Sequence, residues 1–465
     1  MHDILARQRH AQQSDGPPSA ALRIDRLDRA IGLLVDHADE IAHALRDDFG
    51  HRSVEGSLVT DVAASIEPLK HARSHVRSWM RRERRRVSPS ALGLLGARAW
   101  VDYQPKGVVG VVSPWNFPFN LTFAPLAGIL AAGNRAMIKP SEFTPRSSEL
   151  MRRLIAQAFD ASEVAVVVGG PEVGQAFTAL PFDHLLFTGA TSVARHVMRA
   201  ASEHLVPVTL ELGGKSPAIV ARDADPDLAA ARLMFGKTLN AGQVCVSPDY
   251  ALVPRERVDA FVAALERAVR RMFPTLRDNP DYTAIVNERH HGRLRGLLDD
   301  AERQGATLRW LHPQHDMLGA RRIAPVAIVG VHDGMAVMQD EIFGPLLPVL
   351  PYDGIDDAIA QVNGRPRPLA LYYFGDDAAE QERVLSRVTA GGVTLNDTVM
   401  HLTMDDLPFG GIGPSGMGAY HGIDGFRTFS HARGVYRQAR LDVTRLIRPP
   451  YGPLIRRILR IRIKR

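Results

Sequence analysis

The chain is poor in cysteine, since Cys245 is the only one among its 465 residues. A single thiol excludes an intramolecular disulfide and is typical of a reducing compartment. The sequence also lacks a run of about 18 apolar residues, which argues against a transmembrane helix. Its N-terminal stretch, MHDILARQRHAQQSDGPP, has no continuous apolar segment of the kind that secretory signals carry. We therefore expect a cytoplasmic protein.

Metal-binding and nucleic-acid-binding patterns are also missing. The 18 histidines include no H-E-x-x-H segment and there is no second cysteine, so we expect no metal site. The net charge is +6, and much of the basic excess lies in two runs, 77–86 and 456–465. Such runs are typical of solvated helix faces. No zinc finger or aromatic-interleaved basic patch accompanies them, so nucleic acid is not an expected partner.

What is present indicates a globular protein of two or three domains. The hydrophobic fraction is 45% and the charged fraction 23%, both ordinary values, and the length exceeds that of one core. An apolar repeat near 3.6 residues predicts a helix over 19–49, with Gly50 as its stop. A second amphipathic helix is predicted over 57–85.

The rhythm changes after residue 106. Short apolar runs occur at 107–112, 136–139, 164–170, 184–189, 207–212 and 216–220. Helix-length segments at 121–132, 145–158, 172–179 and 191–204 separate most of the first five. This alternation predicts an α/β fold with a doubly wound parallel sheet, which binds ligands at the carboxyl ends of its strands. A second α/β region is predicted beyond residue 216.

Two residues stand out chemically. Cys245, in NAGQVCVSPDY, follows Gly242 and Gln243; a lone cysteine is ordinarily a buried, inert side chain. Glu211 closes an apolar strand and precedes two glycines, which packing does not explain. Desolvation there raises the pKa of a carboxyl group toward the range of a general base.

Eight segments carry a resemblance to a known family. They are SPWNFP (113–118), AAGNRAMIKPSE (131–142), LLFTGATSVA (185–194), TLELGGKSP (209–217), NAGQVC (240–245), DEIFGPLLPV (340–349), GGVTLND (391–397) and LPFGGIGPSGMGAYHG (407–422). In these segments the sequence resembles the aldehyde dehydrogenase superfamily, most closely its class 3 and coniferyl-aldehyde dehydrogenase branch.

The resemblance implies a fold with three parts and a tail. A Rossmann-like NAD(P)-binding domain comprises 1–85 and 106–211, with part of 396–428. An α/β catalytic domain spans 212–395, and a small oligomerisation arm comprises 86–105 and 429–448. The implied assembly is a homodimer. The basic tail, 449–465, alternates apolar and basic residues, so it is either an extension that stabilises the dimer, which we favour, or a peripheral contact with an anionic membrane surface.

The resemblance also implies a reaction. Cys245 is the nucleophile, Glu211 is the general base, and the Asn116 amide stabilises the oxyanion together with the Cys245 backbone N–H. The implied activity is oxidation of an aldehyde to the acid through a thiohemiacetal and a thioester. Coniferyl or a related aromatic or medium-chain aldehyde is the favoured substrate, with aliphatic or fatty aldehydes as the alternative. A CoA-acylating enzyme and a non-catalytic relic are less favoured.

The implied cofactor is NAD+, with NADP+ as a second possibility. The residues assigned to it are Trp115, Lys139, Glu142, Gly189, Ala190, Thr191, Ala194, Leu212, Glu341 and Phe343. The Glu142 carboxylate is expected to accept ribose hydroxyls and to repel a 2′-phosphate, although a solvent-facing helix start is its alternative reading. Ala194 stands where the family pattern has glycine, which predicts weaker binding of NAD+ without its loss.

One segment imitates a dinucleotide-binding fingerprint. Residues 411–416 fit G-x-G-x-x-G literally, but they do not follow a strand within a βαβ unit. We interpret them as a backbone turn near the floor of the active site.

Overall fold

The computed structural model describes residues 1–316, 318–319, 321–442 and 448–463. Its helices are α1 (His2–Asp15), α2 (Ala20–Asp36), α3 (Ala38–Phe49), α4 (Val54–Ser57), α5 (Ala64–Trp79), α6 (Ser90–Leu94), α7 (Asn120–Ala132), α8 (Pro145–Ala158), α9 (Pro171–Thr178), α10 (Thr191–Ser202), α11 (Pro226–Thr238), α12 (Val258–Met272), α13 (Glu288–Arg303), α14 (Ala336–Gln339), α15 (Ile355–Asn363), α16 (Ala378–Arg387), α17 (Gly422–Thr428) and α18 (Pro453–Arg462). A π-helical turn, Leu58–Ala63, joins α4 to α5.

The strands form three sheets. They are β1 (Glu83–Arg85), β2 (Arg98–Pro105), β3 (Val108–Val112), β4 (Arg135–Lys139), β5 (Val164–Val166), β6 (His184–Thr188), β7 (Val208–Glu211), β8 (Pro217–Val220), β9 (Tyr250–Pro254), β10 (Thr307–Trp310), β11 (Val326–Val329), β12 (Leu346–Tyr352), β13 (Ala370–Phe374), β14 (Gly392–Leu395), β15 (Gly416–Met417) and β16 (Ser430–Arg437).

The N-terminal helices differ from the sequence prediction in three places. The amphipathic helix expected over 57–85 ends at Trp79, and residues 83–85 form β1 instead. The single helix expected over 19–49 is two helices, because His37 leaves the helical region with φ −119° and ψ 21°. Gly50 ends the second one in the left-handed region, as expected. Helix α1 was not predicted, since it has little apolar periodicity. A tertiary contact holds it instead: the buried Gln8 side chain donates to the Ala136 carbonyl at 2.8 Å.

The first sheet has the order β15-β7-β6-β3-β4-β5, and β3 to β7 run parallel. Because β3 pairs with both β4 and β6, the strand order reverses beside it, as in dinucleotide-binding sheets. Alternate residues of β3 enter different apolar clusters, with Val109 and Val111 on one face and Val108 on the other. The predicted doubly wound α/β sheet is confirmed.

The second sheet has the order β10-β11-β12-β9-β8-β13-β14, and only β10 runs antiparallel within it. It lies between the large cluster shared with the first sheet and a second apolar cluster on its other face. The chain crosses from the first sheet to the second between β7 and β8, through residues 212–216. Cys245 lies between α11 and β9, on the loop that enters the middle of this sheet.

A third sheet, β1-β2-β16, is antiparallel and largely exposed. Strands β2 and β16 lie in the segments for which the sequence predicts an oligomerisation arm, whereas β1 lies just before the first of them. Residues 443–447 of that prediction lie outside the described residues. Helix α18 occupies the basic tail. No helix of the described residues is long and apolar enough to cross a membrane.

Candidate active site

Asn116 lies on the loop between β3 and α7, at the carboxyl end of the first sheet. Its side-chain amide donates to the Gln243 carbonyl at 3.1 Å, and the residue is 3% exposed. A primary amide carries two N–H donors, so this contact orients the group and leaves a second donor. The sequence prediction placed an oxyanion donor here.

Cys245 follows a backbone that L-residues rarely adopt. Asn240, Ala241 and Gly242 all have positive φ, at 49°, 53° and 76°. Only glycine fits the third position, because a Cβ there would lie 2.3 Å from the Gly344 carbonyl oxygen. The turn ends at Gln243 and leaves Cys245 partly exposed. This loop therefore does not bury Cys245 completely, as it would bury an ordinary inert cysteine.

Glu211 is the last residue of β7 and is 1% exposed. Neither carboxyl oxygen has a hydrogen-bond partner among the described residues. Burial raises the pKa of this carboxyl to about 8, while the adjacent Cys245 thiol lowers it slightly. A buried carboxyl with that pKa changes protonation near neutrality, as a general base requires.

The Cys245 thiol is not ionised in advance. Burial of the sulfur raises its pKa well above the ordinary value, and the Glu211 and Glu341 carboxyls raise it further. The pKa of Glu341 is itself raised to about 8 by burial and by Asp249. The three groups therefore titrate as a coupled set, in which ionising one disfavours ionising the others.

Glu341 approaches the end of β7 because Gly213 has no side chain. A Cβ on Gly213 would lie 2.2 Å from each Glu341 carboxyl oxygen. Behind Glu341, the buried ion pair of Lys215 and Asp249 holds the loop that carries Glu341. Lys215 Nζ donates to the Val337 carbonyl at 2.8 Å, and the Ile342 N–H donates to the Asp249 carboxylate at 2.8 Å. One Glu341 oxygen remains buried without a partner in the described chain.

A cavity of about 240 Å³ joins these groups. The residues that line it are Pro114, Trp115, Asn116, Leu121, Thr188, Gly189, Ala190, Glu211, Leu212, Gly213, Cys245, His290, Arg293, Glu341 and Phe343. Trp115 packs edge-on against Phe343 with ring centroids 5.3 Å apart, and against His290 at 5.1 Å. The structure thus brings the three predicted catalytic residues together with six of the ten predicted cofactor residues.

The residues around this cavity fit a dinucleotide. Helix α10 begins at Thr191 after Ala190, and no side chain caps it; its first N–H groups are therefore available to an anion such as a pyrophosphate. The unpartnered Glu341 oxygen is an acceptor of the kind that ribose hydroxyls need.

The remaining predicted cofactor residues lie outside the cavity wall. Lys139 is the last residue of β4 and Glu142 follows it. The buried Lys139 ammonium donates to Glu142 at 3.3 Å and to the Pro140 carbonyl at 2.9 Å. Thr191 donates its hydroxyl to the Pro414 carbonyl at 3.1 Å. The Ala194 methyl is buried in the apolar cluster with Phe187, and its effect on affinity stays a prediction.

The segment that imitates a dinucleotide fingerprint is a turn against β7. Gly416 pairs antiparallel with Glu211, and the Leu212 N–H donates to the Ser415 carbonyl at 3.1 Å. A Cβ on Gly416 would lie 2.4 Å from the Leu210 carbonyl oxygen. These contacts fix the end of the strand that carries Glu211.

The sequence analysis missed a buried ion pair behind the Asn116 loop. Arg52 is 3% exposed and Asp61 is 0% exposed, and Arg52 Nη2 lies 2.6 Å from Asp61 Oδ2. Arg52 also donates to the Asn116 carbonyl at 2.8 Å, and Asp61 accepts from the Phe119 N–H at 3.2 Å. An arginine and an aspartate nine residues apart give no signal in the sequence that both contact the loop that carries Asn116.

The sequence also gave little indication of His290 and Arg293. They lie three residues apart on α13, hence on one helix face, and Arg293 donates to the Glu341 carbonyl at 3.3 Å. Burial lowers the pKa of His290 to about 4, so it is neutral at pH 7. Helical spacing was the available signal.

A second cavity, of about 370 Å³, lies on the other side of the Asn116 and Cys245 loops. Its wall includes Phe117, next to Asn116, and Val244, next to Cys245. Most of the other lining groups are aliphatic or aromatic: Val59, Ala63, Ala64, Pro68, Ala124, Phe235, Leu239, Val399, Met400 and Leu402. The apolar character suits a hydrophobic ligand that ends at the thiol.

The chain matches the model of the aldehyde dehydrogenase family over residues 3–435. It is 59% identical to a probable coniferyl aldehyde dehydrogenase of Caulobacter vibrioides, over 100% of this chain and 97% of that protein. It is 52% identical to a coniferyl aldehyde dehydrogenase of Pseudomonas sp. strain HR199, over 98% and 95%. The solved structure of Staphylococcus aureus AldH, in a substrate-bound state, superposes with a TM-score of 0.92 at 37% identity and covers 99% of each chain.

Proposed function

The chain belongs to the aldehyde dehydrogenase family, whose members oxidise aldehydes with NAD(P)+, and we propose that Cys245, Glu211 and Asn116 perform this reaction here. The observation that carries the proposal is one cavity that is lined by Cys245, by a buried carboxyl with a pKa of about 8 and by an oriented amide.

Cys245 acts as the nucleophile. The Cys245 thiol releases its proton to water as its sulfur adds to the aldehyde carbon. The C=O π bond breaks, and the carbonyl oxygen of the resulting thiohemiacetal becomes an oxyanion. The free N–H of the Asn116 amide and the backbone N–H of Cys245 stabilise that oxygen. Because the amide is already fixed by its bond to the Gln243 carbonyl, little reorganisation accompanies the charge.

Glu211 acts as the general base for hydrolysis. When ionised, its carboxylate takes a proton from a water molecule, which attacks the thioester on Cys245 and releases the acid. A carboxyl of ordinary pKa is a weak base at neutral pH, whereas a pKa of about 8 matches the medium. The retained base disfavours a CoA-acylating reaction, which needs no water.

The cofactor residues proposed are those at the carboxyl ends of the first sheet. The first N–H groups of α10, after Gly189 and Ala190, hold the pyrophosphate, and Glu341 accepts from a ribose. When bound, the nicotinamide supplies the hydride acceptor that aldehyde oxidation needs. Glu142 favours NAD+ over NADP+, because its carboxylate repels a 2′-phosphate.

Coniferyl aldehyde or a related aromatic aldehyde is the proposed substrate. Relatives with 59% and 52% identity carry that name over nearly their whole length. The apolar cavity beside Phe117 and Val244 supports it, since a planar ring and its propenal chain bury well among such side chains. Aliphatic aldehydes are the alternative that the same apolar wall admits.

We further propose a homodimer built through the β1-β2-β16 sheet and the segment after Thr428. Strands β1 and β16 are both edge strands, and an edge leaves N–H and C=O groups for pairing with another chain. Helix α18, which exposes Leu454 and Ile461, would extend that contact. Size-exclusion chromatography with light scattering should give twice the mass of the chain; a monomer at micromolar concentration would contradict the proposal.

Cys245→Ala should abolish NAD(P)H formation with every aldehyde.

Glu211→Gln should keep an NADH burst near the enzyme concentration but lose about 100-fold or more in steady turnover, because only deacylation needs the base. The wild-type steady rate should rise with pH through about 8, as Glu211 loses its proton, and Glu211→Gln should lack this rise. Stopped-flow absorbance measures the NADH burst, and steady-state absorbance at several pH values measures turnover and its pH dependence.

The matched control for this experiment is Glu203→Gln, an exposed glutamate at the end of α10, which should leave both phases unchanged. Normal steady turnover in Glu211→Gln would refute the role of the base. Acid formation that depends on added CoA would refute hydrolysis.

Arg52→Lys should lower kcat by about tenfold while KM for the aldehyde changes little, because a misplaced Asn116 weakens the transition state more than substrate binding. Lysine keeps the charge beside Asp61 but lacks the planar fork that reaches both partners. Steady-state kinetics and thermal unfolding are measured together.

Arg26→Lys is the control for Arg52→Lys. Arg26 is also buried and pairs with Glu163 at 2.9 Å, away from the cavity. The Arg26→Lys variant should unfold at a lower temperature than the wild-type enzyme and keep the wild-type kcat. Equal effects of the two variants on kcat would mean that Arg52 is merely structural.

A substrate panel tests the proposed specificity. Values of kcat/KM for coniferyl aldehyde, benzaldehyde, hexanal and octanal should be highest for coniferyl aldehyde, and higher with NAD+ than with NADP+. A higher value for octanal would establish the aliphatic alternative instead.

A further inference from the structure

The apolar cavity next to Cys245 carries polar groups that the proposed reaction does not use. Asp405 lines it and is half-buried, and its carboxyl makes no hydrogen bond or ion pair within the described residues. Burial raises the pKa of Asp405, the nearby His71 lowers it, and the carboxylate of Glu67 raises it. An acceptor that loses water without gaining a protein partner is costly unless a ligand supplies the donor.

Glu67 lies in the same wall but is already paired. The Lys70 ammonium donates to it at 3.0 Å, and its side chain is 63% exposed. Water and Lys70 thus satisfy the Glu67 carboxylate, whereas the Asp405 carboxylate can still accept a hydrogen bond.

His421 is a second unsatisfied group in this wall. The residue is 6% exposed, its ring stacks on Phe409 with centroids 4.9 Å apart, and its Nδ1 has no partner in the described chain. Burial lowers the pKa of His421 to about 4, so the ring is neutral at pH 7 and adds no charge. The cavity therefore combines an apolar wall with polar groups that await a partner.

We propose that Asp405 accepts a hydrogen bond from a hydroxyl group on the end of the substrate remote from its aldehyde, and so selects hydroxylated aromatic aldehydes. The inference rests on the proposed function, since it needs an aldehyde to occupy this cavity with its carbonyl at Cys245. A ring buries against Phe117 and the aliphatic wall, while its hydroxyl pairs with the carboxylate. An alkyl aldehyde of similar length would cover Asp405 and offer no donor.

The charges around Asp405 add a second expectation. Glu67 and Asp406 are acidic, Lys70 is engaged by Glu67, and His71 has a pKa lowered by burial. A phenol conjugated with a carbonyl ionises below the value of about 10 for tyrosine. The phenolate has lost its donor proton and is repelled by Asp405, so binding should weaken as the substrate ionises.

The experiment compares coniferyl aldehyde with its 4-O-methyl ether, which has the same shape and no donor, using the full-length enzyme and NAD+. Wild-type kcat/KM should favour the hydroxylated substrate by about tenfold or more, the size expected for one hydrogen bond to a charged group. The preference should decline as the pH passes the pKa of the phenol, and the ether should show no matching decline.

Asp405→Leu should bring the ratio of the two substrates to about one by lowering kcat/KM for coniferyl aldehyde alone. Asp405→Asn retains an acceptor without charge, so it should keep part of the preference and reduce its decline at high pH. It also serves as the test if the leucine variant does not fold. Asp406→Asn, a change at the adjacent exposed aspartate, is the matched control and should keep the wild-type preference for the hydroxylated substrate.

Two results would overturn the inference. If Asp405→Leu lowers kcat/KM equally for both substrates, or Asp405→Asn retains the full pH dependence, Asp405 does not contact the hydroxyl, and the proposed function still stands. If wild-type enzyme prefers octanal to both aromatic aldehydes, the proposed substrate class and the inference fall together.

Discussion

The hydrogen bonds of Gln243 are the constraint on which the site depends. Its side chain donates to the Asn240 carbonyl at 2.8 Å and to the Ala284 carbonyl at 3.1 Å, and accepts from the Val286 N–H at 3.0 Å. Its carbonyl receives the Asn116 amide. These bonds hold a turn of left-handed residues whose backbone costs of the order of 1 kcal/mol or more per non-glycine residue, and they place the thiol and the amide relative to each other.

Burial determines the chemistry of the groups placed in this way. Glu211, Glu341 and Cys245 share one desolvated cavity, and each disfavours the charge of the others. The free-energy cost of ionising a carboxyl in this desolvated cavity raises the pKa of Glu211 toward neutrality, and so gives a base that matches the medium. A more solvated cavity would stabilise the carboxylate and weaken it as a base.

Some of the unsatisfied polar groups among the described residues lie where ligands are expected, although others, such as Gln8 Oε1 and Arg135 Nε, do not. On the cofactor side, a Glu341 oxygen and the uncapped start of α10 lack partners among the described residues. On the substrate side, the Asp405 carboxyl and His421 Nδ1 lack partners among the described residues. Elsewhere, buried charges such as Arg52 and Lys215 are paired and hydrogen-bonded, as stability requires.

The α/β class and the five parallel strands of the first sheet follow from the sequence alone, because hydrophobic periodicity is a local property. The motif resemblance added Cys245, Glu211 and Asn116 as a candidate set, while the break at His37 and helix α1 were missed. The tertiary structure was needed to show that Arg52 and Asp61 contact the Asn116 loop, that Gly213 makes room for Glu341, and that Asp405 lines the apolar cavity. Those contacts join residues far apart in the chain, and burial, which sets their pKa values and partners, exists only once the sheets have packed.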